Sequence, residues 1–235
     1  MVEAGMELSR SMGGELSIKS LVEDGEAFKP GQPVMALKGT ARVLLDLERP
    51  MLNLASYVSG IATRTDGLVR RVKKACPKRT PRVTTTRKTL PGYRDLAIYG
   101  VLAGGGHAHR MSLSGGVLIK ENHIAAAGSI AKAIEGARKV APHGLKIECE
   151  VRNLAELTQA LEARADGVLL DNFKVKGVRD ALKLIAKQAT APVLEVSGGL
   201  DKENIGSYAI AGVDVLSVGS LTHSVTAVDL SLLVE

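Results

Sequence analysis

Between Arg82 and Ile124 the chain reads RVTTTRKTLPGYRDLAIYGVLAGGGHAHRMSLSGGVLIKENHI, a stretch dense in positive charge. Arg82, Arg87, Lys88, Arg94, His109, Arg110 and Lys120 are cationic or can become so, and only Asp95 and Glu121 oppose them. These cations do not form one solvated stripe. They stand at the ends of apolar segments, beside the hydroxyls of Thr84, Thr85, Thr86 and Thr89, the run Gly104-Gly105-Gly106, and Gly115-Gly116. In a strand–loop–helix protein such ends face a common pocket. Guanidinium forks, ammonium groups, hydroxyls and glycines that admit close backbone approach suit a small ligand carrying several negative charges. A cation at a segment end is ordinarily only solvated. Here TRKT, HR and LIK recur in order, each against an apolar run, and together they read as a site.

Two acids complement that ring. Glu150 and Asp171 each close an apolar run, and paired near phosphate-binding groups they could hold Mg²⁺, which takes one or two carboxylates plus substrate oxygens. Glu148, earlier in the same run, is the weaker substitute. Ser197, Gly198 and Gly199 in SGGL, and Ser217 and Gly219 in SVGS, place glycine and serine at two successive strand ends. Backbone N–H groups exposed there make a phosphate cradle of the kind found after the last two strands of (β/α) barrels. His223 follows in LTHS, equally a phosphate neighbour or a surface residue.

The elements that must hold these residues are legible from periodicity. Apolar runs suited to buried parallel strands fall at 117–119, 145–151, 167–170, 192–196 and 214–218, with RVTTT at 82–86 as a more polar first strand. Helical patterns such as IAKAIEGARKV, LAELTQALEARA and VRDALKLIAK lie between them. Repeated β–α units predict a parallel barrel or doubly wound sheet, with functional residues at the strands' C-terminal ends. Residues 1–50 read as a small α+β lobe whose short alternating stretches suggest antiparallel strands, with turns at Asp24-Gly25 and Pro30-Gly31. Over 47–75 the spacing predicts a helix, with Pro50 in its first turn, Arg49 just ahead of it, and Gly60 where another backbone could approach.

Composition sets the outer bounds. At 235 residues and 45% hydrophobic the chain can bury a large core. No apolar run is long enough to span a bilayer, and no leader pattern is present, so no membrane partner is expected. Cys76 and Cys149 match no metal or redox spacing and read as reduced thiols of a cytoplasmic protein. A net charge of +6 raises the question of nucleic acid, but aromatics at 3% leave few stacking platforms. A small phosphorylated substrate accounts for the charge equally well.

In order and spacing, TRKTLPGYR, GGGHAHR and LIKENHI resemble the core signature of the quinolinate phosphoribosyltransferase family, the carboxylating nicotinate-nucleotide pyrophosphorylases. LVEDGEAFKPGQPV at 21–34, LERPMLNLASYVSGIAT at 47–63, IECEVRNLAEL at 147–157, GVLLDNF at 167–173, EVSGGL at 195–200 and GVDVLSVGSLTHS at 212–224 extend the resemblance over nearly the whole chain. It implies an open, incomplete (β/α) barrel of the type II phosphoribosyltransferase kind over 79–220. An α+β lobe with an interface helix would occupy 1–78, and a segment at 221–235 would pack back on that lobe.

The activity it implies is transfer of phosphoribosyl from phosphoribosyl pyrophosphate (PRPP) to quinolinate, with decarboxylation. The products are nicotinate mononucleotide, pyrophosphate and CO₂, a step of NAD biosynthesis, with Mg²⁺ as cofactor. Arg87, Lys88, His109, Arg110 and Lys120 become clamps for quinolinate's adjacent carboxylates. Ser197, Gly198, Gly199, Ser217, Gly219 and His223 become phosphate-side contacts. Lys120, Glu150 and Asp171 become the catalytic groups, the two acids touching ribose and metal. The family counterpart of Arg49 reaches into a neighbouring subunit's site, which implies a homodimer or a higher oligomer of dimers. The family also carries further residues ahead of this point, so the start is either placed late or the lobe is trimmed.

The chain departs from the family pattern at several positions. Thr85 stands for an acid, Ala97 and Ile98 for an acid and a lysine, Ala108 for an asparagine, Ser112 for a glycine and Gly115 for an aspartate. These losses leave two alternatives beside the first reading. One is a phosphoribosyltransferase of the molybdenum-transport-associated branch acting on another anionic acceptor. The other is a catalytically silent protein that binds a phosphate ligand.

Overall fold

Thr40 has extended backbone, and its hydroxyl accepts from the Val43 N–H at 3.5 Å; from this cap helix α1 runs over Ala41–Ala75. The computed structural model describes residues 6–7, 9–10 and 15–234. The helix therefore begins earlier than the periodicity predicts. Pro50 is not in its first turn and Arg49 is not ahead of it; both lie inside. The cause is local. ARVLLDLER is made largely of good helix formers behind a threonine cap, and proline removes only one backbone donor from a helix otherwise held by packing. Leu47, Met51, Val58, Ile61, Leu68 and Val72 supply that packing from one buried stripe.

Ahead of α1, β1 (Leu16–Ser20) and β2 (Met35–Gly39) pair antiparallel, with Leu16 opposite Gly39. The chain between them turns at Gly25 and Gly31, whose φ angles of 88° and 76° require glycine's freedom. The segment 41–47, read from sequence as part of this strand lobe, is helical instead.

Six parallel strands form the main sheet: β3 (Arg82–Thr84), β4 (Val117–Ile119), β5 (Ile147–Val151), β6 (Gly167–Asp171), β7 (Val193–Ser197) and β8 (Val215–Ser217). Their order is β3-β8-β7-β6-β5-β4. Between them run α2 (Arg94–Ala103), α3 (Glu121–Ala127), α4 (Ile130–Val140), α5 (Leu154–Glu162), α6 (Val175–Ile185) and α7 (Ile205–Tyr208), and α8 (Ser220–His223) follows β8. The gap between edge strands β3 and β4 is lined by residues 107–110. His107 donates to Val83 O at 2.9 Å and accepts from Thr85 N at 3.1 Å. The result is an open α/β barrel.

One face of each strand is apolar. Val83, Ile147, Cys149, Val151, Val168, Leu170, Leu194, Val196 and Leu216 are all nearly or fully buried in the shared core, together with residues of the surrounding helices. Helix α1 does more than cover the barrel. Tyr57 donates to Thr222 O at 3.2 Å, and Arg64 donates to Ser224 O at 2.6 Å and Ser220 Oγ at 2.9 Å, so α1 fixes α8. The backbone that approaches Gly60 is that of Thr226, whose carbonyl oxygen would stand 2.2 Å from any Cβ at position 60.

Candidate active site

The inward wall of the barrel is polar, and the strand registers show how. Glu148 pairs with Gly167, Glu150 with Leu169, Leu169 with Glu195, Asp171 with Ser197, Ser197 with Ser217, and Ser217 with Thr84. Side chains alternate along a strand, so Glu148 and Glu150 share a face with Asp171, Glu195, Ser197, Ser217 and Thr84.

At the C-terminal ends of the strands, Lys120 Nζ forms an ion pair with Glu150. Lys120 is the cap of α3, where its backbone N–H donates to His123 Nδ1 at 2.9 Å; that bond fixes where its side chain starts. Asp171 follows on the neighbouring strand and accepts from Asn172 Nδ2 at 3.0 Å. Asn172 adopts φ 56°, and a Cβ at Gly198 would meet its Oδ1 at 2.3 Å, so only glycine fits there. The turn after β8 brings three predicted residues together: a Cβ on Gly219 would lie 3.3 Å from both the His223 ring and Lys88 Cδ. Thr222 Oγ1 donates to Lys88 O at 2.8 Å and locks the TRKT loop to α8. The buried Arg87 Nε has no hydrogen-bond partner among the described residues, an unsatisfied donor of a charged group.

Deeper in the barrel, His109 Nε2 lies 3.1 Å from Glu195 Oε2 and 3.7 Å from Glu148 Oε2, while its Nδ1 accepts the Arg110 N–H at 2.8 Å. Burial, and then the Glu195 charge, push the Glu148 carboxyl up to about 7. The hydrogen bond with Glu195 raises the His109 value against the opposing effect of burial. Arg110 is lowered from its usual range, first by burial and then by Arg87. Its Nη1 donates to Gly116 O at 2.9 Å. These groups line a cavity of about 550 Å³ that opens at the N-terminal ends of the strands, past Arg82, Lys146 and Asp166. The three ligand atoms of His109, Glu148 and Glu195 lie within 4.8 Å of one another, close enough to share a metal ion. Their mutual hydrogen bonding and the adjacent Arg110 charge favour a shared proton instead.

Of the residues singled out from sequence, the structure groups Lys88 with Gly219 and His223, Lys120 with Glu150, Asp171 with Ser197 and the turn that follows it, and Arg110 with both Arg87 and His109. Arg49 joins none of these groups. Its side chain is 75% exposed and, among the described residues, pairs only with Glu48 at 3.4 Å. Glu195 was missed and Glu148 was set aside. The available signal was a glutamate two positions before Glu150 and before Ser197, each within an apolar strand.

Two family models match in tandem: the N-terminal domain of quinolinate phosphoribosyl transferase over residues 1–59 and its C-terminal domain over 61–233. The chain belongs to the quinolinate phosphoribosyltransferase family. Similar relatives include a probable carboxylating nicotinate-nucleotide pyrophosphorylase of Methanocaldococcus jannaschii, 46% identical over 92% of this chain and 76% of that protein. The carboxylating nicotinate-nucleotide pyrophosphorylase of Mycobacterium leprae is 44% identical over 90% of this chain and 72% of its own length. Among solved structures, the nicotinate-nucleotide pyrophosphorylase of Francisella tularensis superposes with a TM-score of 0.87 at 38% identity, covering 98% of this chain and 78% of that one.

Within this quinolinate phosphoribosyltransferase fold the departures have definite places. Thr85 is buried and donates to Thr86 O at 3.1 Å. Ala97 and Ile98 are buried on α2, which packs on α1. Ala108 and Gly115 line the cavity. The thiol of Cys149 is pushed by burial up to about 12, so no thiolate nucleophile is available there.

The Glu148–His109–Glu195 cluster makes stability depend on pH. Glu148 titrates from 4.5 in the unfolded chain to about 7 in the fold, so between those values the native state holds a proton that the unfolded state has lost. Stability therefore falls as pH rises from 4.5 to about 7, and the raised His109 value acts in the same direction. Replacing Glu148 by Gln should remove most of that slope and stabilise the protein at pH 8 by roughly 1–3 kcal/mol. Urea denaturation at pH 5 and pH 8 measures it, and an unchanged slope in Glu148→Gln would remove Glu148 as its source.

Proposed function

We propose that this chain transfers the phosphoribosyl group of PRPP to the ring nitrogen of quinolinate and releases pyrophosphate and CO₂, giving nicotinate mononucleotide. The observation that carries this reading is the meeting, at one end of the barrel, of a cation set (Arg87, Lys88, Lys120) with carboxylates on one face of adjacent strands (Glu150, Asp171). A dicarboxylate acceptor needs the first, and a developing ribosyl cation needs the second. The direct test is to supply quinolinate and PRPP and follow nicotinate mononucleotide, CO₂ and pyrophosphate together.

The chemistry asks for no protein nucleophile. Arg87, whose buried Nε lacks a partner, is suited to grip one carboxylate of the acceptor, and Lys120 the other. Glu150, freed from Lys120 as that side chain turns to the acceptor, and Asp171 face the ribose carbon as positive charge grows there. The Gly198–Gly199 turn and the Lys88–Gly219–His223 group receive the phosphates. Once the nitrogen is ribosylated, the cationic ring draws in the electron pair of the breaking C–CO₂ bond, and that ring carbon then takes a proton from water. Catalysis is then positioning and electrostatics.

Glu150 and Asp171 offer hard oxygen donors, which fit Mg²⁺; bound there, the ion would neutralise the pyrophosphate leaving group. Chelation of divalent metal should reduce turnover to background, and added Mg²⁺ should restore it; PRPP turnover that survives complete metal removal would refute this role. Arg87→Lys should raise the quinolinate KM by about ten-fold or more, since a point charge cannot replace a two-donor fork and a charged contact contributes about 1.5–3 kcal/mol. Weakened PRPP binding with normal quinolinate binding would put Arg87 on the other ligand.

A homodimer completes the reading, with Arg49 of one protomer entering the site of its partner. The exposed Leu45, one turn before Arg49 on α1, supports a covered face. The free, buried thiols Cys76 and Cys149 support a cytoplasmic location, and among the described residues no helix is long and apolar enough to cross a membrane. A second reading, a phosphoribosyltransferase for a different anionic acceptor, draws on the cavity beside Ala108 and Gly115. Turnover of another ring acid in preference to quinolinate would favour it.

A further inference from the structure

Three side-chain polar atoms are buried without a hydrogen-bond partner among the described residues: Thr84 Oγ1, Arg87 Nε and Ser217 Oγ. Arg87 belongs to the cation set already described. The two hydroxyls do not. Thr84 closes β3 and Ser217 closes β8, they stand opposite each other in register, and they are 4% and 2% exposed. The strand pair is bonded through its backbone, the Val218 N–H donating to Thr84 O at 2.9 Å, so what stays open is the pair of hydroxyls.

Neighbouring strands lie about 4.8 Å apart, too far for one of these hydroxyls to bond the other directly when both project from the same face. Two O–H···O bonds that meet at a single oxygen span about 4.5 Å. The register therefore suits one small oxygen between them. Leaving both hydroxyls dry would forfeit the bonds that each makes to water in the unfolded chain. The cavity behind them gives room and a route: Thr84 lines it, and it opens past Arg82, Lys146 and Asp166.

We propose that Thr84 and Ser217 form a binding site for one resident water, bonded to both hydroxyls, which ties β3 to β8 where the TRKT loop leaves the sheet. β3 is short of such ties. It is an edge strand of three residues, and on its outer side its backbone is bonded to His107 alone among the described residues. A water-bridged hydroxyl pair adds a side-chain link at its last residue, directly ahead of Thr85, Thr86 and Arg87. The water enters from the N-terminal mouth, so the site does not depend on which acceptor the strand ends take.

Two measurements test this, and neither needs substrate. The first is a double-mutant cycle read as urea midpoints at one protein concentration. Thr84→Val and Ser217→Ala should each lower the midpoint by about 0.3 M or more, because each strips a bonded hydroxyl. The double variant should fall scarcely further than the worse single, since one substitution already dislodges the water that both residues share. A midpoint that holds or rises in Thr84→Val would mean a hydroxyl with no bond to lose, and strictly additive losses would mean two independent hydroxyls. Either result overturns the proposal. The second measurement is a crystal structure of the ligand-free wild type at a resolution that shows ordered waters, and it decides even if a variant fails to fold. One water within about 3.2 Å of both oxygens is the expected result. Hydroxyls bonded to protein groups, or no water between them, would overturn it.

Discussion

Lys120→Ala should lose about two to three orders of magnitude in turnover while keeping its fold, the range seen when one preorganised charge-stabilising donor is removed. Lys120 is nearly half exposed, its backbone position is set by the cap of α3, and its one ion pair is with Glu150. A pair so open to water contributes at most about 1 kcal/mol to stability. Glu150 is 12% exposed and left unpaired by the substitution, which adds a small penalty at neutral pH. The expected result is therefore a variant with near-normal denaturant midpoint and almost no product. Initial rates at saturating PRPP and quinolinate, alongside urea denaturation, separate the two effects. Substantial retained turnover would remove Lys120 from substrate contact, and a collapse of stability would make it a structural residue.

How much of this was legible in the sequence depended on whether chemistry and packing used the same residues. The strands from β4 to β8 were readable because their outward faces are uninterrupted Val, Ile, Leu and Cys, and buried strands read as apolar runs. The start of α1 was not. ARVLLDL has the alternation of a strand, and the threonine cap that makes it a helix is a single residue whose effect depends on what packs below. At the site, end-of-strand residues such as Lys120, Glu150 and Asp171 were visible because their charge follows an apolar run. Glu195 was invisible for the opposite reason. It sits inside such a run, where a lone acid looks like an interruption until the period of two is set against the barrel's inward wall. His109 shows a further limit: the sequence sets it beside Arg110, and only the fold brings its ring to Glu195.

Mixing Arg49→Ala with Lys120→Ala, each inactive alone, should restore activity if the functional unit is a dimer with shared sites. Arg49 lies inside α1 with its side chain 75% exposed, and among the described residues its only partner is the neighbouring Glu48. It makes no hydrogen bond or ion pair with the barrel residues of its own chain. A long side chain that meets only its neighbour Glu48 among the described residues is available to a second subunit, and closed two-fold pairing is the commonest arrangement of soluble homo-oligomers. In a mixed dimer, one site joins Lys120 from the first variant to Arg49 from the second and is intact. The other site lacks both. Random reassortment makes about half of the dimers mixed, so the mixture should recover roughly a quarter of wild-type activity. Subunit exchange is verified by mass-tagging one variant before mixing. Exchange without recovery would mean that Arg49 acts within its own chain or not at all, because a shared site cannot remain broken once both intact halves are present.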